Sequence, residues 1–137
     1  MKKTAKQVQS DIIALLEGSD LAAAITGRVY RAGVRPRDSK LEDLIVIFTT
    51  GASDQIQTGV VTLNLYVPDI APFDNAVFVE DMERTAELEA LCQQWADGLT
   101  ADRSNYKFRL TQTIYTETEA DIRQHFVVVK LQYELFE

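Results

Sequence analysis

Residues 44–48 read LIVIF and residues 60–67 read VVTLNLYV, and these two apolar runs decide the fold. The first run is short, rich in branched side chains and bounded by polar segments, which predicts a strand buried on both faces. In the second run apolar residues alternate from Val61 to Val67, as in a strand with one buried face. Pro68 ends this strand because proline cannot donate to the ladder.

The segments around these two strands predict the rest of the sheet. The polar stretch from Thr49 to Gly59 is typical of a wide hairpin connection. Arg28 to Arg31 indicates a short extended piece. Alternating apolar residues predict two later strands, over residues 106–114 and 127–135, and the acidic link Thr116 to Asp121 is predicted to join them as a long hairpin.

Two short helices are predicted before the sheet. Thr4 is a plausible N-cap for the first helix, and Gly18 is typical of its C-terminal end. Its apolar face is formed by Val8, Ile12, Leu15 and Leu16. Asp20 is predicted to cap the second helix, from Leu21 to Ile25.

The longest helical pattern lies between the strand pairs. Its apolar residues fall on one face, with Met82 and Ala86 assigned to that face one and two turns earlier. The repeating positions are Leu88, Leu91, Cys92, Trp95 and Leu99. A ligand pocket at Cys92 and Trp95 is the alternative, but large apolar residues at this spacing favour core packing.

These elements predict an α+β fold in the order α-α-β-β-β-α-β-β. The sheet is expected to be antiparallel-rich but mixed, with four to five strands. One long helix should pack on a face of the sheet, beside short N-terminal helices. We expect a single domain over residues 1–137, with residues 1–4 flexible.

Charge and composition restrict the classes of partner. The formal net charge is -7, which argues against a protein that binds nucleic acid through phosphate contacts and against an anionic membrane surface. No apolar run is long enough for a signal peptide or a transmembrane helix, so a cytoplasmic location is the expectation. The single cysteine, Cys92, cannot form an internal disulfide.

The sequence shows no set of residues typical of an enzyme, and neither a cofactor nor a metal is predicted. His125 is the only histidine, and no zinc-ligand spacing accompanies it. We interpret it as an ordinary histidine at the start of a strand. Pro68-Asp69 is a weak match to the first half of a nuclease signature, but the acidic-x-Lys element that should follow is missing.

Two charged segments remain to be explained. The acidic residues are Asp69, Asp74, Glu80, Asp81 and Glu83. A hard cation would suit their oxygens, but their spacing matches no loop motif, and acids at a helix start interact favourably with its dipole. The basic residues are Arg28, Arg31, Arg35, Arg37 and Lys40. They fit a contact for an acidic neighbouring subunit and a solvated surface equally well.

Three pieces together resemble the tail-completion, or tail-terminator, proteins of long-tailed bacteriophages and prophages. The first is the opening IALL of residues 13–16 through LAAAI of residues 21–25, closing with GRVY at residues 27–30. The second is the strand pair at residues 44–48 and 59–67. The third is the later helix followed by the strands near the end of the sequence. Members of that family often have a proline just before the first strand of the pair, where this chain has Glu-Asp.

The resemblance implies a structural protein that assembles as a ring, a hexamer, with no catalytic site. Such a ring caps the head-proximal end of the tail tube, stops tube growth and joins the tail to the head connector. It assembles in the host bacterial cytoplasm and becomes part of the virion, with DNA passing through its lumen. Ring closure requires a heterologous interface, in which one patch meets a different patch on the next copy.

The charged segments predict this subunit or partner interface. We expect the basic patch of one copy to meet the acidic stretch of its neighbour. The residues assigned to it are Arg28, Arg31, Arg35, Arg37, Asp69, Asp74, Glu80 and Asp81. Other readings stay open: another head–tail joining protein, a regulatory or adaptor binding module, and a hydrolase or nuclease with an unrecognised carboxylate site.

Overall fold

The computed structural model describes residues 2–99 and 105–136, and it confirms the α+β prediction. Any flexibility of Met1 lies outside these described residues. The helices and strands are α1 Ala5–Leu16, α2 Asp20–Ala24, β1 Val29–Arg31, β2 Leu44–Ser53, β3 Gln57–Pro68, α3 Met82–Gly98, β4 Tyr106–Leu110, β5 Tyr115–Glu119 and β6 Gln124–Leu135. A 3-10 turn, Ala120–Ile122, joins the last two strands.

The strands form one six-stranded mixed sheet in the order β1-β2-β3-β6-β4, and β5 also pairs with β6. Only β1 and β2 run parallel; the other pairs described are antiparallel. Strand β6 pairs with β3 over its whole length. On its other side β6 pairs first with β5 and then with β4. The last of these strands in sequence therefore lies in the interior of the sheet, with strands on both sides.

The sheet has more strand than the sequence predicted, in two polar segments. The predicted link from Thr116 to Asp121 forms most of β5. The sheet therefore has six strands, whereas four or five were expected. The predicted wide connection from Thr49 to Gly59 is mostly strand, leaving a turn at residues 54–56. Both segments pair through their backbone while their side chains stay largely exposed, so they lack the alternation that marks a buried strand.

The N-terminal helices form largely as expected, with one correction at a cap. Thr4 caps α1 in a capping box, and Gly18 follows the helix with a φ of 79°. The cap of α2 is Ser19, whose side chain accepts from the amide of Ala22. Asp20, the cap predicted from the sequence, is instead the first residue of the helix.

The buried face of α3 is formed by Thr85, Leu88, Cys92 and Ala96. Met82 and Ala86, which the sequence analysis placed on this face, are exposed, with Met82 at 72%. Ala86 lies two residues before Leu88, about 200° around a helix of 3.6 residues per turn. Thr85, three residues before Leu88, is the position that returns to the buried side.

The buried sides of α1, α2 and α3 pack into one core with alternate residues of the central strands, Leu63, Leu65, Val127 and Val129 among them. Ile45 and Val128 lie on the opposite face of the sheet and are not part of this core. The sheet is therefore covered by helices on one face. Within the described part of the chain, no helix combines the length and apolar character needed to cross a membrane.

Candidate functional site

One end of the sheet carries a cluster of buried and half-buried charges, beginning with Arg35 in the loop between β1 and β2. Its Nε lies 2.9 Å from Oδ2 of Asp43, and its Nη2 donates to Oε1 of Gln124 at 2.9 Å. The guanidinium stacks 4.2 Å from the ring centroid of Tyr66, a cation–π arrangement. With its side chain only 13% exposed, Arg35 holds the loop against the sheet.

Asp43 is the buried anion of this cluster, at 1% exposure. Burial alone would raise the pKa of its carboxyl, but hydrogen bonds from Ser39, Arg35 and the amide of Arg28 outweigh burial and hold the pKa below its ordinary value. Gly27 packs directly on this carboxylate, and a Cβ at Gly27 would collide with it. The charge of Asp43 is therefore compensated within the subunit.

A second buried ion pair joins α3 to the segment before β2. Nε and Nη2 of Arg84 each lie 2.7 Å from an oxygen of Glu42, a bidentate pair. Nη2 also donates to the carbonyl of Ala24 at the end of α2, at 2.7 Å. These hydrogen bonds raise the pKa of Arg84 and keep it charged. Three elements are thereby fixed to one another at this end of the molecule.

A third cluster surrounds His125 at the start of β6. Its Nδ1 lies 2.6 Å from Oδ1 of Asp69, and its Nε2 lies 3.6 Å from Oε1 of Glu80. Thr85, in the first turn of α3, donates to the other oxygen of Glu80 at 2.6 Å. His125 therefore contacts both ends of the segment that connects β3 to α3.

That segment projects from the sheet as a loop with exposed apolar side chains, here called the apolar loop, residues 70–79. Ile70 and Val79 close its base through two reciprocal backbone hydrogen bonds of 2.9 Å. Phe73 is 68% exposed and Val77 50% exposed. The Arg123 guanidinium lies 4.4 Å from the ring centroid of Phe78. The loop therefore has a fixed base and an apolar tip.

The structure separates the predicted interface residues into two groups. Five make contacts within the subunit: Arg31 donates to the carbonyl of Lys6, Arg35 to Asp43, Asp69 and Glu80 contact His125, and Asp81 accepts from the amide of Arg84. Arg28, Arg37 and Asp74 are exposed. The two charged segments meet at one end of the sheet, because Gln124, which contacts Arg35, pairs with Pro68, which precedes Asp69.

The His125 cluster has a contact that sequence reasoning missed, since Asp69 and His125 are 56 positions apart. An aspartate on one imidazole nitrogen is how a general base is oriented, but the other nitrogen faces the carboxylate of Glu80 and not a nucleophile. No group of three or more His, Cys, Asp or Glu within residues 2–99 and 105–136 is arranged to hold a metal ion. The arrangement fixes the base of the apolar loop.

A groove of about 400 Å³ lies between the N-terminal helices and α3. Its lining includes the apolar side chains of Leu15, Leu21, Leu91 and Trp95 and the polar side chains of Asp20 and Gln94. Trp95, predicted from the sequence to belong to the core, is partly buried and packs against the core. Its Nε1 donates to the carbonyl of Leu15 at 3.4 Å. Cys92, on the same helix, is buried at 1% exposure and burial raises the pKa of its thiol to about 12.

Comparisons with known proteins do not assign the chain to a family. No protein-family model matches the sequence, and no curated protein is significantly similar to it. A solved structure named Np_888769.1 aligns with 100% of this chain and 97% of that chain, at 14% sequence identity and a TM-score of 0.47.

Proposed function

We propose that the protein is a structural assembly subunit, a tail-completion protein that forms a ring at the head-proximal end of a phage tail tube. The observation that carries the proposal is the apolar loop, which presents Phe73 and Val77 to solvent on a fixed base. Met82, the first residue of α3 and the next exposed apolar residue in sequence, is 72% exposed. Contiguous exposed apolar side chains mark surfaces that bind other proteins.

The base of the apolar loop supports a binding role over a merely mobile loop. The Ile70–Val79 bridge and the contacts of His125 hold both of its ends on the sheet and on α3. A loop that is ordered before binding loses less conformational entropy when a partner docks. The charged cluster at this end of the sheet therefore serves binding by fixing the position of the loop.

The finer parts of the proposal rest on the resemblance of element order and sequence to tail-completion proteins. They are the hexameric ring, arrest of tube growth, and contacts with the tail tube protein and the head connector. Assembly in the host bacterial cytoplasm and residence in the virion follow from the same resemblance.

The exposed charges modify the interface that we expect between copies. Arg31 and Arg35 make contacts that stabilise the fold of their own subunit. A charge reversal at either would therefore impair folding, and its effect on assembly could not be measured separately. We instead assign the contact to Arg28 and Arg37 of one copy and Asp74 of the next. Arg28→Glu should weaken assembly, and Asp74→Lys combined with Arg28→Glu should restore part of it.

The test is light scattering and electron microscopy of the purified protein, alone and with isolated tail tubes. We expect ring particles, or rings that form on one end of the tubes. Phe73→Ser should abolish them and leave the far-UV circular dichroism spectrum of the subunit unchanged, because the side chain is 68% exposed. Ala90→Ser, an exposed change on α3 outside the apolar loop, is the control for loop contacts. A protein that stays monomeric and does not bind the ends of tail tubes would contradict the proposal and favour an adaptor module.

A further inference from the structure

The sheet has two open edges in the same half of the molecule. β1 pairs with β2 only as far as Val46, so the rest of β2 has β3 as its one strand neighbour within the described part of the chain. On the far side β4 pairs with β6, and its second edge has no strand partner among residues 2–99 and 105–136. The two edges are here called the β2 edge, residues 50–53, and the β4 edge, residues 107–110.

The registers place these edges at the same level of the sheet. Ala52 pairs with Thr58, Thr58 with Glu134, and Glu134 with Lys107, so Ala52 and Lys107 end one continuous row. A second row of paired residues lies two residues further along each strand. It runs from Thr50 through residues 60 and 132 to Arg109. The two edges belong to the outer strands of the set β2-β3-β6-β4, in which each neighbouring pair is antiparallel.

Strand polarity makes the edges complementary between copies. Because three antiparallel steps separate β2 from β4, the two strands run in opposite directions. A β4 edge laid against the β2 edge of another copy, with the inner faces of both sheets on the same side, is therefore antiparallel. Antiparallel addition to an open edge is a common mode of strand recognition.

Side-chain chemistry selects this pairing over pairing of like edges. The β2 edge consists of small, uncharged residues, Thr50, Gly51, Ala52 and Ser53, all exposed. The β4 edge carries the exposed cations Lys107 and Arg109. Two β4 edges would bring these cations together, and like charges on an edge strand oppose pairing. A β2 edge offers them small neighbours without charge.

We infer that the β4 edge of one copy pairs with the β2 edge of the next, so that sheets join edge to edge around the assembly. The interface is heterologous, as ring closure requires. In the in-line register Phe108 of one copy lies beside Gly51 of the next on the inner face, where Phe48 and Tyr133 of that subunit pack close to the glycine. This inference deepens the proposed function and rests on the self-assembly in it.

Disulfide trapping tests the pairing directly. In the double variant Ala52→Cys/Lys107→Cys the two new cysteines of one chain are three strand spacings apart, roughly 14 Å. A disulfide needs Cα atoms within about 7 Å, so one that forms must join two copies. Cys92 is buried with its pKa raised to about 12, which keeps it out of the reaction. Under mild oxidation we expect a ladder of covalent multimers on a non-reducing gel.

Four further variants identify the pair. Thr58→Cys/Lys107→Cys, with the cysteine one strand inward, should stay monomeric on the gel. Thr50→Cys/Arg109→Cys should form the ladder, and Thr50→Cys/Lys107→Cys would do so if the register is shifted by two residues. Ala52→Cys alone should give no dimer; a dimer would mean that the β2 edge pairs with itself and would overturn the inference.

The outcome also separates this inference from the proposed function. Rings on a microscope grid without any ladder would overturn the edge pairing and leave the ring proposal standing. A ladder from chains that never cap tail tubes would support the pairing and contradict the tail-tube role. Ala52→Lys should lower assembly at least tenfold by placing a cation beside Lys107 of the neighbour. Thr58→Lys, one strand inward, should not.

Discussion

Replacement of Arg84 by methionine should destabilise the subunit by about 3 kcal/mol, because it leaves a buried carboxylate without its cation. Glu42 is 6% exposed and loses two hydrogen bonds of 2.7 Å, while the carbonyl of Ala24 loses a third. Breaking one side of a buried ion pair costs about 3–5 kcal/mol. The Arg84 side chain is 25% exposed, which places the expected cost at the lower end.

The assay is urea unfolding at fixed protein concentration in an Ala52→Lys background, since assembly would add concentration-dependent stability. Glu87→Gln is the matched control, because it removes the exposed partner of the same arginine, and we expect a change within about 0.5 kcal/mol. The double variant Glu42→Gln/Arg84→Met should cost less than the sum of the single changes. Equal costs for Arg84→Met and Glu87→Gln would refute the reasoning.

Three other outcomes follow from the same region and from α3. Gly27→Ala should lower the free energy of unfolding by about 1–3 kcal/mol, because the added Cβ overpacks against Asp43. Gly98→Ala, with nothing within 4 Å of its Cβ, should leave that free energy unchanged or raise it slightly. Thermal unfolding of both variants distinguishes close packing at Gly27 from a general effect of replacing glycine. The folded-state pKa of Asp43 is held below its ordinary value of 3.8, so the stability it contributes is complete above that pH and is lost as pH falls through the folded pKa. Acid titration of the unfolding free energy should show this loss, and Asp43→Asn should reduce it. The Cys92 thiol, with its pKa raised to about 12, should resist iodoacetamide at pH 8 in the folded protein and react in urea; rapid labelling without urea would contradict its burial.

The apolar pattern predicted the core strands well. Residues of β3 from Val61 to Val67 alternate because one face meets the helices, and the structure confirms their burial. Strand β5 was missed because its sequence, YTETE, contains no buried apolar alternation. It is held by backbone pairing with β6, a contact that depends on tertiary structure and leaves no local signal.

The charged cluster could not be predicted, for a related reason. Glu42 and Asp43 are charged residues of the kind found in surface loops, yet both are buried. Glu42 pairs with Arg84, which is distant in sequence, and Asp43 pairs with Arg35 of the preceding loop. The Asp69–His125 contact likewise depends on the pairing of β3 with β6. Two of the predicted interface arginines were therefore assigned to a neighbouring copy although they bind within the subunit.

The interior position of β6 in the sheet has a consequence for synthesis of the chain. Until translation has passed Leu135, β3 has no neighbour on one side, and β4 and β5 have no strand to pair with. Every nascent intermediate therefore exposes unsatisfied strands on the ribosome, which invites aggregation. A premature stop codon just before Gln124 should accordingly yield insoluble material that chaperones and proteases remove. It should not yield a smaller folded subunit that joins an assembly and blocks its completion.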